Sequence, residues 1–361
     1  MMKILYVSPL IQAGTNWGFH DGFAELGHTV KAVPTHSFTY ETLSLLRRLT
    51  YRFTRTRLSD ANLRGLNQAV VAAAQEFQPD LIFYNNLHYI TAETLAVTRH
   101  YGPNYAYFSD DMFNPANQTF LFFDIIRNMD CIFTTKSYNV REFLDAGAKE
   151  AIFIDNSYAE NWHHPVELND EDRQKFGGDV AFVGTFYPYR ADFLAQIIEA
   201  CPDIRFNIWG WSWGKMRRPW YWHNIHRVRR WQLLSRCVRG PFLYGEDMNK
   251  AIAANKICLG LLHKANRDLQ TQRTMEIPAA GGFFLAERTD EHRRLFEEDK
   301  EAVYFSSLPE LIEKIQYYLA HPAEREAIAK AGYERCLRSG YSYRARAQTM
   351  IDHYLKQAAY V

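Results

Sequence analysis

The sequence predicts an α/β protein built of two doubly wound parallel sheets. Short apolar runs recur along the chain, and each stops at Ser, Gly, Asn or Asp. Stretches with helical spacing and helix-end signals separate these runs, the alternation expected of parallel strands joined by crossover helices. At 361 residues the chain is also long enough for two domains, each with its own core.

The elements follow in order. Residues 4–7 form an apolar run ending in Ser8-Pro9, which reads as a buried parallel strand. A loop with Gly14, Gly18 and Gly22 leads to the helix-end signal Leu26-Gly27-His28 and a strand over 29–33. A helix around 63–77 passes through Pro79-Asp80 into a strand over 81–84. Strands over 105–108, which stops at Ser109-Asp110-Asp111, then 131–134 and 151–154, complete the first sheet. The polar stretch 156–165 leads into Asp170-Glu171-Asp172 and marks a hinge. The second half repeats the scheme with strands over 180–183, 206–209, 242–244, 257–262, 283–286 and 303–305. The expected domains are therefore 1–165 and 166–342, followed by a helix over 343–361. Ligands of open α/β sheets bind beyond the carboxyl ends of strands, so the loops there hold the candidates for function.

The sharpest chemical signal lies in the run from Asn266 to Gly282. Asp268 and Glu276 stand on either side of Arg273, and a short helix closes on Gly281-Gly282. Proline is tolerated near a helix start, so Pro278 places that start near Thr274. Glu276 and its neighbouring backbone N–H groups would then lie at the positive end of a helix dipole. Such an end suits a diphosphate, and a carboxylate beside it suits sugar hydroxyls.

This run resembles the nucleotide-sugar half of GT-B glycosyltransferases. Their pattern of two acids with seven residues between them, then Ala-x-Gly, reads here as Asp268-x7-Glu276 and Ala279-Ala280-Gly281, with Asp in place of the first Glu. A closer resemblance is to the spore-maturation CgeB-like branch. It lies in Arg273-Thr274-Met275-Glu276-Ile277-Pro278, in Ala286-Glu287-Arg288-Thr289-Asp290-Glu291-His292 and in Ala331-Gly332-Tyr333-Glu334-Arg335. It is strong over 179–343 and weaker over 1–165.

The resemblance implies two Rossmann-like domains facing across a cleft, with the last helix crossing back to the first domain. It implies transfer of a sugar from a nucleotide-diphosphate sugar to a hydroxyl of a glycan, lipid carrier or small metabolite. Retention at the anomeric carbon is implied, as is independence of metals; no cofactor is expected beyond the donor itself. By resemblance Arg190, which follows Gly184-Thr185 and opens a helix, and Arg273 meet the donor phosphates. Glu276 takes ribose or sugar hydroxyls, Asp268 faces the donor sugar, and Thr274 completes the motif. Tyr244 and Glu246 end a strand where the family reads the nucleobase. Gly14 and Thr15 lie in the loop the family brings under the phosphates or the acceptor. Asp110 and Asp111 resemble the F-x-D-D element of CgeB-like proteins, and His88 lies just past the preceding strand. A carboxylate pair at a strand end suits a general base for an acceptor hydroxyl. It equally suits a helix or loop cap, and the residues alone do not rank the two.

Composition narrows the remaining classes. Net charge is +1, so no global field draws the chain to nucleic acid, and no nucleic-acid motif is present. Cys131, Cys201, Cys237, Cys258 and Cys336 are odd in number and lack metal-ligand spacing, which reads as buried thiols in a reducing compartment. The chain enters its first strand at once and has no apolar run long enough to span a bilayer, so a cytoplasmic location is expected. His163-His164, adjacent rather than spaced to share a metal, reads as hinge surface.

One stretch goes beyond a minimal sugar-nucleotide domain. From Trp209 to Arg239 the chain holds many Trp and Arg residues and no acid, and Arg47, Arg48, Arg52, Arg55 and Arg57 form a second basic stretch. Such stretches suit an acidic acceptor or a peripheral contact with an anionic membrane at its inner face. Trp211 and Trp213 are the acceptor candidates within it. The same pattern also fits a solvated helical face with its Trp residues packed inward. The rival to an enzyme is a non-catalytic sugar-nucleotide or glycan-binding protein of a surface layer.

Overall fold

The computed structural model describes residues 1–10, 16–39, 58–217 and 225–359. They form two compact units. One comprises Met1–Asn156, His263–Asp268 and Tyr343–Val361; the other comprises Ser157–Leu262 and Leu269–Ser342. The division falls at Asn156/Ser157, where the sequence reading placed it at 165/166, and the short segment His263–Asp268 groups with the first unit.

The first unit holds β1 (Lys3–Ser8), β2 (Thr29–Pro34), β3 (Leu81–Asn85), β4 (Asn104–Phe108), β5 (Cys131–Thr134) and β6 (Ala151–Phe153). All pair in parallel, in the order β2-β1-β3-β4-β5-β6. The winding therefore reverses between β1 and β3. Helices α1 (Asn16–Glu25), α2 (Asp60–Phe77), α3 (Ala92–Thr98), α4 (Phe122–Arg127) and α5 (Asn139–Asp145) cover the sheet. β3, β4 and β5 are buried along their whole length, as sheets covered on both faces require. The α2 helix begins at the side-chain cap of Ser59 and ends at Gln78, whose φ of 50° is left-handed, just before Pro79.

Gly18 and Gly22 lie on α1 rather than in a loop. Their role is close approach. A Cβ on Gly18 would come within 2.3 Å of the Tyr343 ring, and one on Gly22 within 3.0 Å of the Tyr343 carbonyl oxygen. These two positions let α14 (Tyr343–Ala358) lie against α1.

The second unit holds β7 (Gly178–Val183), β8 (Phe206–Trp209), β9 (Val238–Gly240), β10 (Asn255–Gly260), β11 (Phe284–Glu287) and β12 (Val303–Phe305). These pair in parallel in the order β12-β11-β10-β7-β8-β9, so the winding reverses between β7 and β10. The helices are α6 (Asp170–Phe176), α7 (Pro188–Ala200), α8 (Ile225–Cys237), α9 (Gly245–Ala253), α10 (Gln272–Ala279), α11 (Asp290–Leu295), α12 (Leu308–Ala320) and α13 (Pro322–Arg338).

Two local expectations are corrected here. The strand expected over 242–244 is instead β9, which stops before Pro241, a residue with no N–H for the ladder. Tyr244 is the cap residue of α9. Helix α10 starts at Gln272, not Thr274, because Thr271 and Thr274 form a reciprocal cap. Pro278 lies in its last turn, where the lost hydrogen bond to the carbonyl of Thr274 is tolerated because the helix ends one residue later.

Candidate functional site

In doubly wound sheets the ligand crevice lies where the winding reverses. In the second unit that point is beyond β7 and β10, and Arg190 occupies it. From the first turn of α7 its Nη2 donates to the Leu261 carbonyl at 2.9 Å, and its Nη1 to the Thr185 carbonyl at 3.3 Å. The guanidinium also lies over the Phe182 and Tyr187 rings. Arg190 is 7% exposed, and its buried Nε has no hydrogen-bond partner among the described residues. It thus ties the two strand ends together through carbonyls and rings, and no carboxylate among the described residues pairs with it.

Gly184 is fixed from the next strand. Its N–H donates to the Trp209 carbonyl, and its own carbonyl accepts the Trp213 indole N–H, both at 2.9 Å. Gly210 is required here, since with φ 153° a Cβ would lie 1.9 Å from the Gly184 carbonyl oxygen. Trp213 is therefore buried scaffold, packed on Phe182 and Phe186, and not an acceptor surface. Trp211 is exposed.

Arg273, second residue of α10, donates from Nε to the Val183 carbonyl at 3.2 Å and lies over the Phe242 ring. Its guanidinium pairs with the buried Glu276 carboxylate. Glu276 lies a full turn inside α10, so the charge that meets it is Arg273 and not the end of the dipole. Its other oxygen, Oε1, faces His163 Nε2 at 3.5 Å. His163 Nδ1 accepts the Ala159 N–H at 3.1 Å, which leaves the ring proton on Nε2, the nitrogen nearer Glu276. Burial, with Arg273 adding to it, pulls the His163 pKa down to about 3. His163, read from sequence as hinge surface, is thus a buried neutral imidazole, while His164 is exposed.

Thr274 is committed to structure. It accepts the Thr271 N–H and contacts His292 Nε2 at 2.9 Å, and His292 Nδ1 donates to the Glu287 carbonyl at 2.6 Å. Burial pulls His292 to about 4, so it stays neutral and its Nε2 accepts the Thr274 hydroxyl. Tyr244 and Glu246 lie on the exposed start of α9, where Glu246 pairs with Lys250 at 2.9 Å.

In the first unit the winding reverses between β1 and β3. Tyr6 donates its hydroxyl to the Asn16 carbonyl at 2.5 Å and accepts from Asn85 Nδ2 at 2.7 Å. Asn86, at φ 52°, contacts Asn16 and Ser109. Gly14 and Thr15 lie outside the described residues. His88 is half-buried, and its carbonyl accepts the Thr119 hydroxyl.

The aspartates past β4 differ in environment. Asp110 is exposed and accepts from Asn266 at 2.8 Å. Asp111 is buried and receives Arg267 Nε and Nη2 at 2.7 and 2.9 Å, Asn139 Nδ2 at 3.0 Å and the Phe113 N–H at 3.0 Å. Burial pushes the Asp111 carboxyl up, but these donors outweigh it and hold the group below the usual carboxylate range. Of the base and cap roles open to it, Asp111 thus occupies the structural one. Asp268 is likewise paired, with Lys136 Nζ at 2.6 Å, both side chains buried, and it accepts the His263 N–H at 3.1 Å. Lys136, and Tyr138, whose hydroxyl donates to the Asn266 carbonyl, gave no local sequence signal, because each meets its partner across a long stretch of chain. The nearest hint is a lysine two residues past an apolar strand.

Two arginines of the basic aromatic stretch are neutralised from outside its own sequence. Arg227 pairs with Asp192 and Arg230 with Glu199, each at 2.8 Å, and the Trp231 indole donates to Asp192 at 2.9 Å. Both acids belong to α7, and Trp231 is 4% exposed. Residues 40–57 and 218–224 lie outside the described residues.

Comparison with known proteins bears on the fold. Residues 190–352 match the profile of a family described as glycosyl transferase-like. No curated protein matches the chain in sequence. In structure the chain is similar to sucrose-phosphate synthase from Thermosynechococcus elongatus, at 15% identity and TM-score 0.67, with 100% of each chain covered. It is similar to HepE of Anabaena in complex with UDP and glucose, at 15% identity and TM-score 0.67, covering 99% of this chain and 100% of that one. A glycosyltransferase from Rickettsia africae aligns at 11% identity and TM-score 0.65 over 98% of both chains. The fold is that of the GT-B class, with two parallel six-stranded α/β sheets in one chain.

Proposed function

We propose that this chain is a glycosyltransferase that takes a sugar from a nucleotide-diphosphate sugar and transfers it, with retention and without a metal, to a hydroxyl acceptor. The observation that supports it most is Arg190. It is a buried cation at the winding reversal of the second unit, joined to both strand ends and with no carboxylate partner among the described residues. Departure of a nucleoside diphosphate builds negative charge, and a fixed cation in a desolvated site stabilises that charge. Arg273 is held to the Val183 carbonyl at the end of β7 and pairs with Glu276, the carboxylate offered to hydroxyl groups. A uridine nucleotide is the first donor to test, because the Anabaena neighbour was solved with UDP and with UDP-glucose.

The acceptor would be met by the first unit, where Asp110 is the exposed acid past β4. A peripheral contact with an anionic membrane stays part of the reading through the exposed Arg229 and Arg236, while Arg227 and Arg230 are paired with acids. No helix among the described residues is long and apolar enough to cross a membrane. The test is thermal unfolding with UDP, other nucleoside diphosphates and their sugars. A ligand at ~100 times its dissociation constant adds about 2.7 kcal/mol when it binds only the folded state. The reading fails if none of them raises the unfolding temperature. Stabilisation without donor hydrolysis or transfer would favour the non-catalytic binding protein, a reading that the pairing of Asp111 and Asp268 also favours.

A further inference from the structure

A second cluster lies in the first unit, at the amino ends of β4 to β6, away from the strand ends that hold the candidate site. Tyr105 of β4 is the register partner of Cys131 of β5. Ile132 pairs with Ala151, and its N–H donates to the Glu150 carbonyl at 3.0 Å, which sets Glu150 beside Cys131. Tyr105, Cys131 and Glu150 thus form one row across three strands, and residues opposite one another in a ladder point to the same face. His353 of α14 closes over that row. One ring nitrogen, Nε2, lies 3.0 Å from Glu150 Oε1, and the other, Nδ1, lies 3.1 Å from the Tyr105 hydroxyl. The Cys131 sulfur, a Glu150 oxygen and a His353 nitrogen all lie within 4.8 Å of one another.

From this geometry we infer that Cys131, Glu150 and His353 bind one divalent transition-metal ion of the zinc class. Zinc takes sulfur, nitrogen and oxygen at about 2.0–2.3 Å in a tetrahedron, which sets its ligand atoms roughly 3.5 Å apart. The spacings here bracket that value. A sulfur ligand disfavours magnesium and calcium, which take oxygen. With Nε2 on the ion, His353 Nδ1–H donates to the Tyr105 hydroxyl, the outer partner that fixes the tautomer of a ligating imidazole. Cys131 is fully buried, while the side chains of Glu150 and His353 are 36% and 16% exposed, so the ion has a way in and water completes the fourth position. On binding, the thiol proton passes to solvent and a metal–sulfur bond forms; nothing is oxidised or reduced. The ion pins α14 to the sheet and takes no part in sugar transfer. The three ligands come from distant parts of the chain, which is why sequence spacing does not show them.

The experiment is a titration of chelator-treated full-length protein with Co²⁺. A sulfur-to-cobalt absorption band should rise, saturate at one equivalent and bleach when Zn²⁺ is added. Cys131→Ser, which leaves the other four cysteines, should abolish the band. Tyr105→Phe should keep the band while weakening affinity on the order of 10–100-fold. His353→Gln, at a more exposed position, should lose the rise in unfolding temperature that Zn²⁺ gives the parent. A folded parent with no saturable band, a band that survives Cys131→Ser, or an unchanged zinc shift in His353→Gln would each overturn the inference. In that case His353, Glu150 and Tyr105 form a hydrogen-bonded cluster only.

Discussion

His163 makes a quantitative demand on the pH dependence of stability. In the folded chain its pKa is about 3, pulled down chiefly by burial from an ordinary 6.5. Below about 6.5 the unfolded chain takes up a proton that the folded chain refuses, and this continues until the pH reaches about 3. Stability is therefore complete above the upper value and falls as pH drops through the window. At pH 5 the deficit is about 1.5 units below the unfolded value, or about 2 kcal/mol at about 1.36 kcal/mol per unit. That figure holds for any folded value below roughly 4, so it does not depend on the depth of the shift. His163→Gln keeps an N–H donor but cannot titrate. In urea unfolding the parent should lose about 2 kcal/mol more than this variant between pH 8 and pH 5. His292, also lowered, contributes equally to both proteins and cancels. Equal losses in the two proteins would refute a buried neutral His163.

Three further outcomes follow from the same contacts. Arg273→Ala and Glu276→Ala should each cost about 3–5 kcal/mol, because each strands a buried charge, and the double variant should cost less than the two together; urea midpoints measure this, and neutral single variants would count against the pair. Asp111→Asn should lower stability by about 1–3 kcal/mol through lost donors, whereas the exposed Asp110→Asn should stay within about 0.5 kcal/mol. Only Asp110→Asn should then lower turnover in a folded enzyme, once an acceptor is in hand. Gly18→Ala should lose about 1–3 kcal/mol by driving a methyl into the Tyr343 ring, and truncating that ring in Gly18→Ala/Tyr343→Ala should recover part of the loss.

The strands were legible because parallel strands covered on both faces read as unbroken apolar runs, as in β3 and β10. The edge was not. Phe242 and Tyr244 have strand-like composition, yet Pro241 ends the ladder before them, and a local rule about proline outweighs propensity there. At α10 the conflict ran the other way. Pro278 argued for a late start, but the cap formed by Thr271 and Thr274 begins the helix earlier and leaves proline near its end. Gly18 and Gly22 looked like loop residues because their reason, the Tyr343 backbone and ring, lies near the other end of the chain.

Charge was the least legible property, for a physical reason. A run of arginines looks unneutralised when only sequence neighbours are counted, but neutralisation happens in space. Arg227 and Arg230 meet Asp192 and Glu199 of the adjoining helix, and Asp268 meets Lys136 across the fold of the first unit. Pairing of this kind takes up the capacity of a charged group to meet a ligand: Asp111, already holding Arg267, Asn139 and a backbone N–H, has little left to offer a hydroxyl. The informative charges are those the fold leaves open. Arg190 is buried at a winding reversal with carbonyls and rings as its partners, and Asp110 is exposed with a single amide contact from Asn266. A desolvated cation that no carboxylate among the described residues meets is costly to keep unless an anion arrives, so the proposed diphosphate contact rests on Arg190 more than on the paired residues Asp268 and Glu276.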